Sequence, residues 1–302
     1  MTLRSLALVA AIVSSAGGAF YAVTEPPPER AHLGLYEWMA TAPVVIVADI
    51  VADDGRFVRA IAVTTIKGAL VANTPVLIDL RQANRDRENG IAALDLVKGR
   101  AYLLLLQTSS RGKKEPYPVF DLVRDVRGAK TLPAEGSAAT IAAVTRLAEV
   151  QGRNNDAFLW ASLPDFLEDS NPVLVDAALD LYVKFRRETA ALIPIVSPLL
   201  QHPSPDVRRR AALVLGRVLL RAGSADVPER PEVVAELSGR ARRDDDVTVR
   251  REATAALAAL PDPGIDETLR VIARDDPDQS VRFEAEKSVF ERSQAGANKR
   301  SD

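Results

Sequence analysis

The chain contains no cysteine among its 302 residues. This excludes thiol catalysis, thiolate-bound metals and disulfides within the chain, and it removes the cysteine to which lipoproteins attach their lipid. Only two histidines occur, His32 and His202, and neither lies in a recognisable metal-binding or catalytic-triad motif. We therefore expect no catalytic constellation, no metal site and no cofactor.

The chain also has little net charge, with 39 basic and 41 acidic residues and a formal value of -2. This balance argues against bulk attraction to nucleic acid or to anionic lipid. Hydrophobic residues make up 47 % of the sequence, which supports a sizeable core and excludes a disordered chain. The length allows two domains.

Residues 1–19 have the three parts of a signal peptide. Arg4 supplies the positive start, Leu6–Val13 is a short apolar core, and Ser14–Ala19 is a run of small residues suited to a signal peptidase. Cleavage after Ala19 or after Gly18 would fit, and we expect a mature protein that is exported, either periplasmic or extracellular.

An uncleaved membrane anchor is the alternative for this segment. Ser5–Val23 carries no charge and is long enough to span a bilayer, although Gly17 and Gly18 interrupt the apolar run. Membrane contact is expected only in that case. Residues 20–30, with Pro26, Pro27 and Pro28, then form a stiff linker.

The first folded domain is predicted at residues 31–135 and is rich in strand signals. A short helix, Ala31–Thr41, is stopped by Pro43 and precedes five β-rich runs. Five strands in so short a stretch indicate a small closed or half-closed barrel. The predicted strands are Val44–Val51, Phe57–Ile66, Val76–Arg81, Tyr102–Leu106 and Tyr117–Val126.

Three segments of this domain, Ala42–Ile50, Val63–Gly68 and Leu96–Leu105, resemble the OB-like barrel of netrin and metalloprotease-inhibitor modules. The inhibitors of that family act through an N-terminal cysteine, so the resemblance does not imply protease inhibition here. OB-like barrels often contact ligands through the loop between their last two strands. In this chain that loop holds three candidate binding residues, Arg111, Lys113 and Lys114. The alternative is that the loop is simply a solvated hairpin tip.

The second domain is predicted at residues 137–292, where every apolar run has helical period. A turn of the form Asp-Val-Arg-x-x-Ala recurs there, and the valine that precedes each Arg position serves as a marker. The markers Val173, Val207, Val249 and Val281 are separated by 34, 42 and 32 residues, which is typical of a helical solenoid. In the first copy Leu174 stands where the arginine would be.

After an opening helix at Ala138–Val150, the repeats are predicted to be helix pairs. The first helices are Ala157–Glu168, Thr189–Leu200, Pro231–Arg242 and Ile265–Arg274. The second helices are Val173–Arg186, Asp206–Arg221, Val247–Leu260 and Gln279–Arg292, followed by a polar tail at residues 293–302.

The residue types that recur in this turn suit an architectural role. Aspartates cap helix starts, alanines let neighbouring helices approach, and arginines reach towards an acidic residue of the adjacent repeat. These residues are Asp206, Asp246 and Asp278; Ala211, Ala253 and Ala285; and Arg208, Arg250 and Arg282. They resemble HEAT-like repeats of the phycobilisome-lyase type, a family that includes bilin lyases together with binding and scaffolding modules.

The sequence therefore predicts a two-domain chain, a small all-β OB-like barrel followed by an α-helical HEAT-like solenoid. We expect a non-enzymatic, exported binding or scaffold protein whose partner is another envelope or secreted protein, without nucleic acid. One alternative is a lyase-like enzyme or enzyme accessory; another is ligand or glycan binding through the barrel loops. Candidate binding residues on the repeats are those that differ from copy to copy: Arg209, Arg210, Arg217 and Arg221.

Overall fold

The computed structural model describes residues 34–81, 96–110, 114–123, 128–132, 137–222, 227–262 and 264–298. The expected signal peptide and linker lie outside these ranges, as do His32, Arg111, Lys113 and the last four residues of the tail. Among the helices in the described ranges, none is long and apolar enough to cross a membrane.

A short helix and a β-sheet form the N-terminal part. Helix α1, Leu35–Thr41, ends before Pro43, as expected. The strands follow the predicted runs closely, and a short sixth strand that the sequence did not indicate is added. They are β1 Val44–Asp53, β2 Phe57–Lys67, β3 Pro75–Asp79, β4 Ala101–Thr108, β5 Val119–Leu122 and β6 Ala129–Thr131.

The first five strands close into a barrel. The order is β1-β2-β3-β5-β4, and β4 pairs back to β1. Strands β3 and β5 run parallel, whereas the other neighbours are antiparallel. Strand β6 adds to β4 beside β5. A five-stranded closed barrel of this kind confirms the expected OB-like architecture.

Two of these strands are buried on both faces, which explains their nearly continuous apolar sequence. Alternate residues along β1 and β4 point to opposite sides of the sheet. One set lines the barrel interior: Ile46, Ala48, Ile50, Tyr102, Leu104 and Leu106. The other set belongs to the core that the helices form: Val45, Val47, Leu103 and Leu105. Barrel and helices are thus joined by one continuous apolar contact.

The C-terminal part is helical, as predicted, and its helices stack in pairs. Each begins and ends within a few residues of its expected bounds, apart from the one predicted at Thr189–Leu200 and the last, which continues beyond Arg292. The helices are α2 Ser137–Gly152, α3 Asp156–Leu167, α4 Pro172–Lys184, α5 Ile193–Val196, α6 Pro205–Ala222, α7 Arg230–Arg243, α8 Val247–Ala258, α9 Ile265–Asp275 and α10 Gln279–Asn298.

The expected helix at Thr189–Leu200 is broken into three pieces. Helix α5 is a single turn, flanked by the 3₁₀ segments Ala190–Leu192 and Ser197–Gln201. Pro194 and Pro198 lie within this stretch. Each proline lacks a backbone N–H and crowds the carbonyl four residues earlier, so a regular α-helix cannot continue through both.

Two of the three expected aspartate caps are confirmed. The Asp246 carboxylate accepts hydrogen bonds from the N–H groups of Thr248 and Val249, at 2.7 and 3.2 Å. Asp278 does the same at the start of α10. Asp206 is not a cap, because α6 already begins at Pro205. Its charge instead lies in the first turn, where the helix dipole favours it.

The first repeat is displaced by one residue from the expected alignment. The Asn171 side chain caps α4 by accepting from Val173 N–H, just as Asp246 accepts from Thr248. Leu174, which is buried, therefore takes the marker position instead of Val173. Val175 stands where later repeats carry arginine, so the first copy lacks that charge altogether.

Candidate functional site

The repeat arginines form a ladder along the stack, as the sequence predicted. Arg208 holds the Asp244 carboxylate through two hydrogen bonds of 2.8 Å, and Arg250 holds Asp276 at 2.9 and 3.2 Å. Each guanidinium also bonds a carbonyl of the turn before its own helix. In the last repeat Arg282 plays this second role, donating to the Asp276 and Pro277 carbonyls.

The Asp244 carboxylate, and that of Asp262, which pairs with Arg230, are held in their charged form. Arg230 donates to Asp262 at 2.7 Å and thereby lowers the pKa of that carboxyl. For Asp244, burial opposes the charge, but hydrogen bonds from Arg208 and from Asp246 N–H outweigh it and lower the pKa. These two carboxylates therefore form ionised pairs with their arginines, which indicates a structural role.

Arg209 and Arg210, two of the candidate binding residues, also meet acidic groups. Arg209 lies 4.0 Å from Glu252 of the next repeat. Arg210 is largely buried and pairs with Asp176, at 2.6 Å, and with Asp180. The Asp180 carboxylate in turn accepts from Gly34 N–H, and a Cβ on Gly34 would collide with it. This cluster ties α4 and α6 to the chain entering α1.

Arg217 and Arg221, the other two candidates on the repeats, hold the turn that follows α4. Arg217 donates to the Val183 carbonyl at 3.2 Å, and Arg221 donates to the Arg186 carbonyl at 3.1 Å. Both also pair with the buried carboxylate of Glu188. The structure thus brings these two residues together around one turn, whereas Arg209 and Arg210 lie elsewhere on α6.

That turn has an unusual backbone. Arg187 N–H bonds the Tyr182 carbonyl at 3.1 Å, and Arg186 N–H bonds the Val183 carbonyl at 3.3 Å. This is the Schellman pattern, which needs a left-handed residue and normally uses glycine. Here Arg186 takes that position, with φ of 52°. Strained residues of this kind cluster at functional sites, which draws attention to the surface beside the turn.

The surface beside the turn carries a group of aromatic rings, here called the aromatic patch and defined as Trp160, Tyr182, Phe185 and Arg187. The Trp160 ring lies 5.5 Å from Phe185, edge to face, and 5.8 Å from Tyr182. The Arg187 guanidinium covers Trp160 at 4.1 Å. Phe185 remains 50 % exposed. These rings fix one another while leaving apolar surface open to solvent.

Sequence reasoning missed the aromatic patch, although a signal was present. Aromatic residues make up only 5 % of the chain, which has two tryptophans in all. Several of these scarce residues fall in the short stretch from Phe158 to Phe185. Local concentration of a rare residue type can be read from sequence, but the ring contacts across α3 and α4 cannot.

A second feature is a cleft of about 550 Å³ where the barrel meets the first helices, here called the seam cleft. Its wall includes Tyr36, Lys67, Glu149, Gln151 and Asp156. The Lys67 ammonium donates to the Met39 carbonyl at 2.6 Å and so closes the end of α1. Burial, and then the charge of Asp156, raise the pKa of Tyr36, so this phenol stays protonated at neutral pH.

The basic barrel loop can be judged only in part. Lys114 lies on the surface, at the start of the described segment 114–123. Arg111 and Lys113 lie outside the described residues. Ligand or glycan binding through this loop therefore stays a prediction.

Comparison with known proteins supports the repeat assignment. Residues 193–289 match the family described as HEAT repeats. The chain is similar to the solved complex of CpcE and CpcF of phycocyanin lyase from Nostoc sp. PCC7120, with 18% identity and a TM-score of 0.38. That match covers 50% of this chain and 89% of the other. No curated protein matches the chain.

The expectation of a non-enzymatic protein is wrong, because the solved structure found in the comparison belongs to a lyase. The expected fold and the expected kind of repeat are confirmed. HEAT repeats of this type suggest protein partners. Residues 193–289 of this chain are HEAT repeats, and they continue a helical stack that is joined to a closed five-stranded barrel.

Proposed function

We propose that this protein binds another protein through the aromatic patch and takes part in handling it, in an accessory or lyase-like role. The observation that carries the proposal is the patch itself, a set of fixed aromatic rings with a half-exposed phenylalanine on the first repeat. Solenoids of helix pairs commonly present such extended surfaces to protein partners.

The chemistry of the aromatic patch suits a protein interface. Binding energy at interfaces concentrates in tryptophan, tyrosine and arginine side chains that are packed and pre-ordered. Trp160 is held between Tyr182, Phe185 and Arg187, so it loses little side-chain entropy on binding. Arg217 and Arg221 fix the turn that carries Phe185 and Arg187, and in this way two of the candidate arginines support the surface indirectly.

Charges near the aromatic patch indicate the type of partner surface that fits. Arg187 is exposed, and Lys184 is half-exposed while pairing with Glu37 of α1. Lys184 also lies 5.3 Å from the Phe185 ring. An apolar anchor beside the exposed Arg187 fits a partner with an apolar side chain bordered by carboxylates or carbonyls.

Replacing Trp160 and Phe185 together with alanine is expected to weaken partner binding by about 2 kcal/mol or more, which is roughly thirtyfold in Kd. Partners would be recovered from a native envelope fraction on the immobilised wild-type chain, purified, and titrated against each variant. The matched control is Val71→Ser, which removes a still more exposed apolar side chain, at 73% against 50% for Phe185, from the turn between β2 and β3. Equal affinity of all three proteins for the purified partner would refute the proposal.

The same experiment separates the two roles. A lyase-like role is favoured by the seam cleft, whose volume could admit a small molecule beside a protonated tyrosine. The mass of the recovered partner, measured before and after incubation with the chain, distinguishes them. A covalent change in the partner indicates lyase-like chemistry, and an unchanged mass indicates an accessory role.

Export is also part of the proposal, and it rests on the composition of residues 1–19, which lie outside the described residues. Expression in a bacterial host is expected to yield a processed protein that begins at residue 20. Intact-mass measurement on the periplasmic fraction checks this. Recovery of the full-length chain in the cytoplasm would contradict it.

A further inference from the structure

The last helix carries an exposed stripe at the open end of the repeat stack. Phe283 and Phe290 on α10 are each 64% exposed, and Glu286 and Lys287 between them are exposed as well. Residues three, four and seven apart lie on one face of a helix. These four residues, here called the terminal stripe, therefore form one surface. Repeat proteins normally keep such an outer face polar, so two exposed phenylalanines indicate an interface.

This end of the stack is not shaped to receive a further repeat. In α6, Gly216 lies so near α8, the second helix of the next repeat, that a Cβ there would stand 2.7 Å from the Cβ of Ala256. Phe290 stands nine residues after the marker Val281, and Gly216 stands nine residues after the marker Val207. A large ring at that position prevents a further helix from packing equally close. A further helix would therefore not pack on α10 as α8 packs on α6, and this face suits a different type of partner.

Next to Phe290 lies a groove of about 500 Å³ between α9 and α10. Ala273 and Val289 contribute apolar surface to it, and Arg270 and Glu286 stand at its edges. A groove of this size can admit one aromatic side chain. It lies beside one phenylalanine of the terminal stripe, within reach of a ring presented by an opposing helix.

The order of residues along the terminal stripe is self-complementary. Phe283 and Phe290 are equally distant from the point midway between Glu286 and Lys287. An antiparallel copy of the helix, turned about a two-fold axis through that point, sets Phe283 against Phe290 and Glu286 against Lys287. A parallel copy in register would instead oppose like charges. Closed dimers use this type of two-fold, self-matching patch.

We propose that the terminal stripe is a dimer interface, at which two copies of this chain pair their α10 helices in antiparallel fashion. Phe283 of one copy enters the groove beside Phe290 of the other, and Lys287 meets Glu286. Lys287 also lies 3.9 Å from Glu291 of its own helix. This exposed pair is weak, so it does not keep the Lys287 ammonium from pairing with Glu286 of the other copy. The dimer gives each assembly two aromatic patches, which strengthens binding to any partner with repeated sites.

The interface is small, so the dimer is expected to dissociate on dilution. Sedimentation velocity of the full chain over a dilution series measures this. Two single variants on the exposed face test the charge pairing, Glu286→Lys and Lys287→Glu. Each opposes like charges across the axis and is expected to raise the dimer Kd by at least about tenfold.

Two further samples keep the test specific. The double variant Glu286→Lys/Lys287→Glu restores opposite charges and is expected to dimerise like the wild type. An equimolar mixture of the two single variants is expected to form heterodimers. Circular dichroism confirms that each variant keeps its helices. The proposal is overturned if the wild type stays monomeric up to about 100 µM, or if it dimerises and the single variants dimerise equally well.

Discussion

Replacing Arg250 with alanine is expected to lower the free energy of unfolding by about 3–5 kcal/mol. Arg250 is the central rung of the arginine ladder, and its side chain is only 10% exposed, while that of Asp276 is 2% exposed. Truncation would leave the Asp276 carboxylate buried without its ion pair. The carbonyl of Asp244 would lose its 2.9 Å hydrogen bond at the same time. Urea unfolding followed by circular dichroism measures the change.

Arg270→Ala is the matched control for this prediction. Arg270 pairs with Glu267 one turn away on the exposed surface of α9, with both side chains more than half exposed. Pairs of this type contribute well under about 1 kcal/mol, because water screens them. If the two substitutions cost the same, the ladder is not what holds successive repeats together.

The ladder could be read from the sequence because its parts are local. Asp246 and Asp278 cap helices within their own turns. The arginines directly follow their marker valines, as Arg250 follows Val249. The acidic partner needed only to lie one repeat further on, where Asp244 and Asp276 recur before each cap. The misplaced first copy shows the limit of this reasoning. Val173 and Leu174 are both apolar, so only the bond to Asn171 shows which one is the marker.

The candidate site could not be predicted in the same way. The aromatic patch depends on a ring from α3 meeting residues at the end of α4, and the strained turn at Arg186 depends on two arginines from α6. These contacts join residues that are far apart in the chain, and composition alone does not specify them. The four candidate arginines were chosen for their variation, yet the structure engages all of them with acidic groups.

The apolar run in β1 was correctly read as a buried strand, but the sequence could not show what covers its second face. In the structure the helices cover this face, and its side chains belong to the core of the helices: Val45, Val47, Leu103 and Leu105. A barrel that shares its outer face with a solenoid is not expected to unfold alone, because separation would expose this apolar surface to water.

Replacing Leu104 with alanine is therefore expected to destabilise the helices as well as the barrel. Leu104 is fully buried in the barrel interior, on the face away from the helices. Removing its side chain should cost about 2.7–5 kcal/mol through lost burial and the cavity left behind. If barrel and helices unfold as one unit, this loss appears in every probe of unfolding, including those that report only on the repeats.

The two tryptophans allow that comparison within one protein. Trp38 lies on α1, with the Lys130 ammonium of β6 at 5.5 Å from its ring, and Trp160 lies on α3 in the first repeat. In a Trp160→Phe background the fluorescence comes from Trp38, and in a Trp38→Phe background it comes from Trp160. Each part is thus followed separately, and circular dichroism follows the helices. Leu104→Ala is expected to lower the urea midpoint equally in both backgrounds. If Leu104→Ala lowers the urea midpoint reported by Trp38 and leaves the midpoint reported by Trp160 unchanged, barrel and repeats are thermodynamically independent despite their shared core.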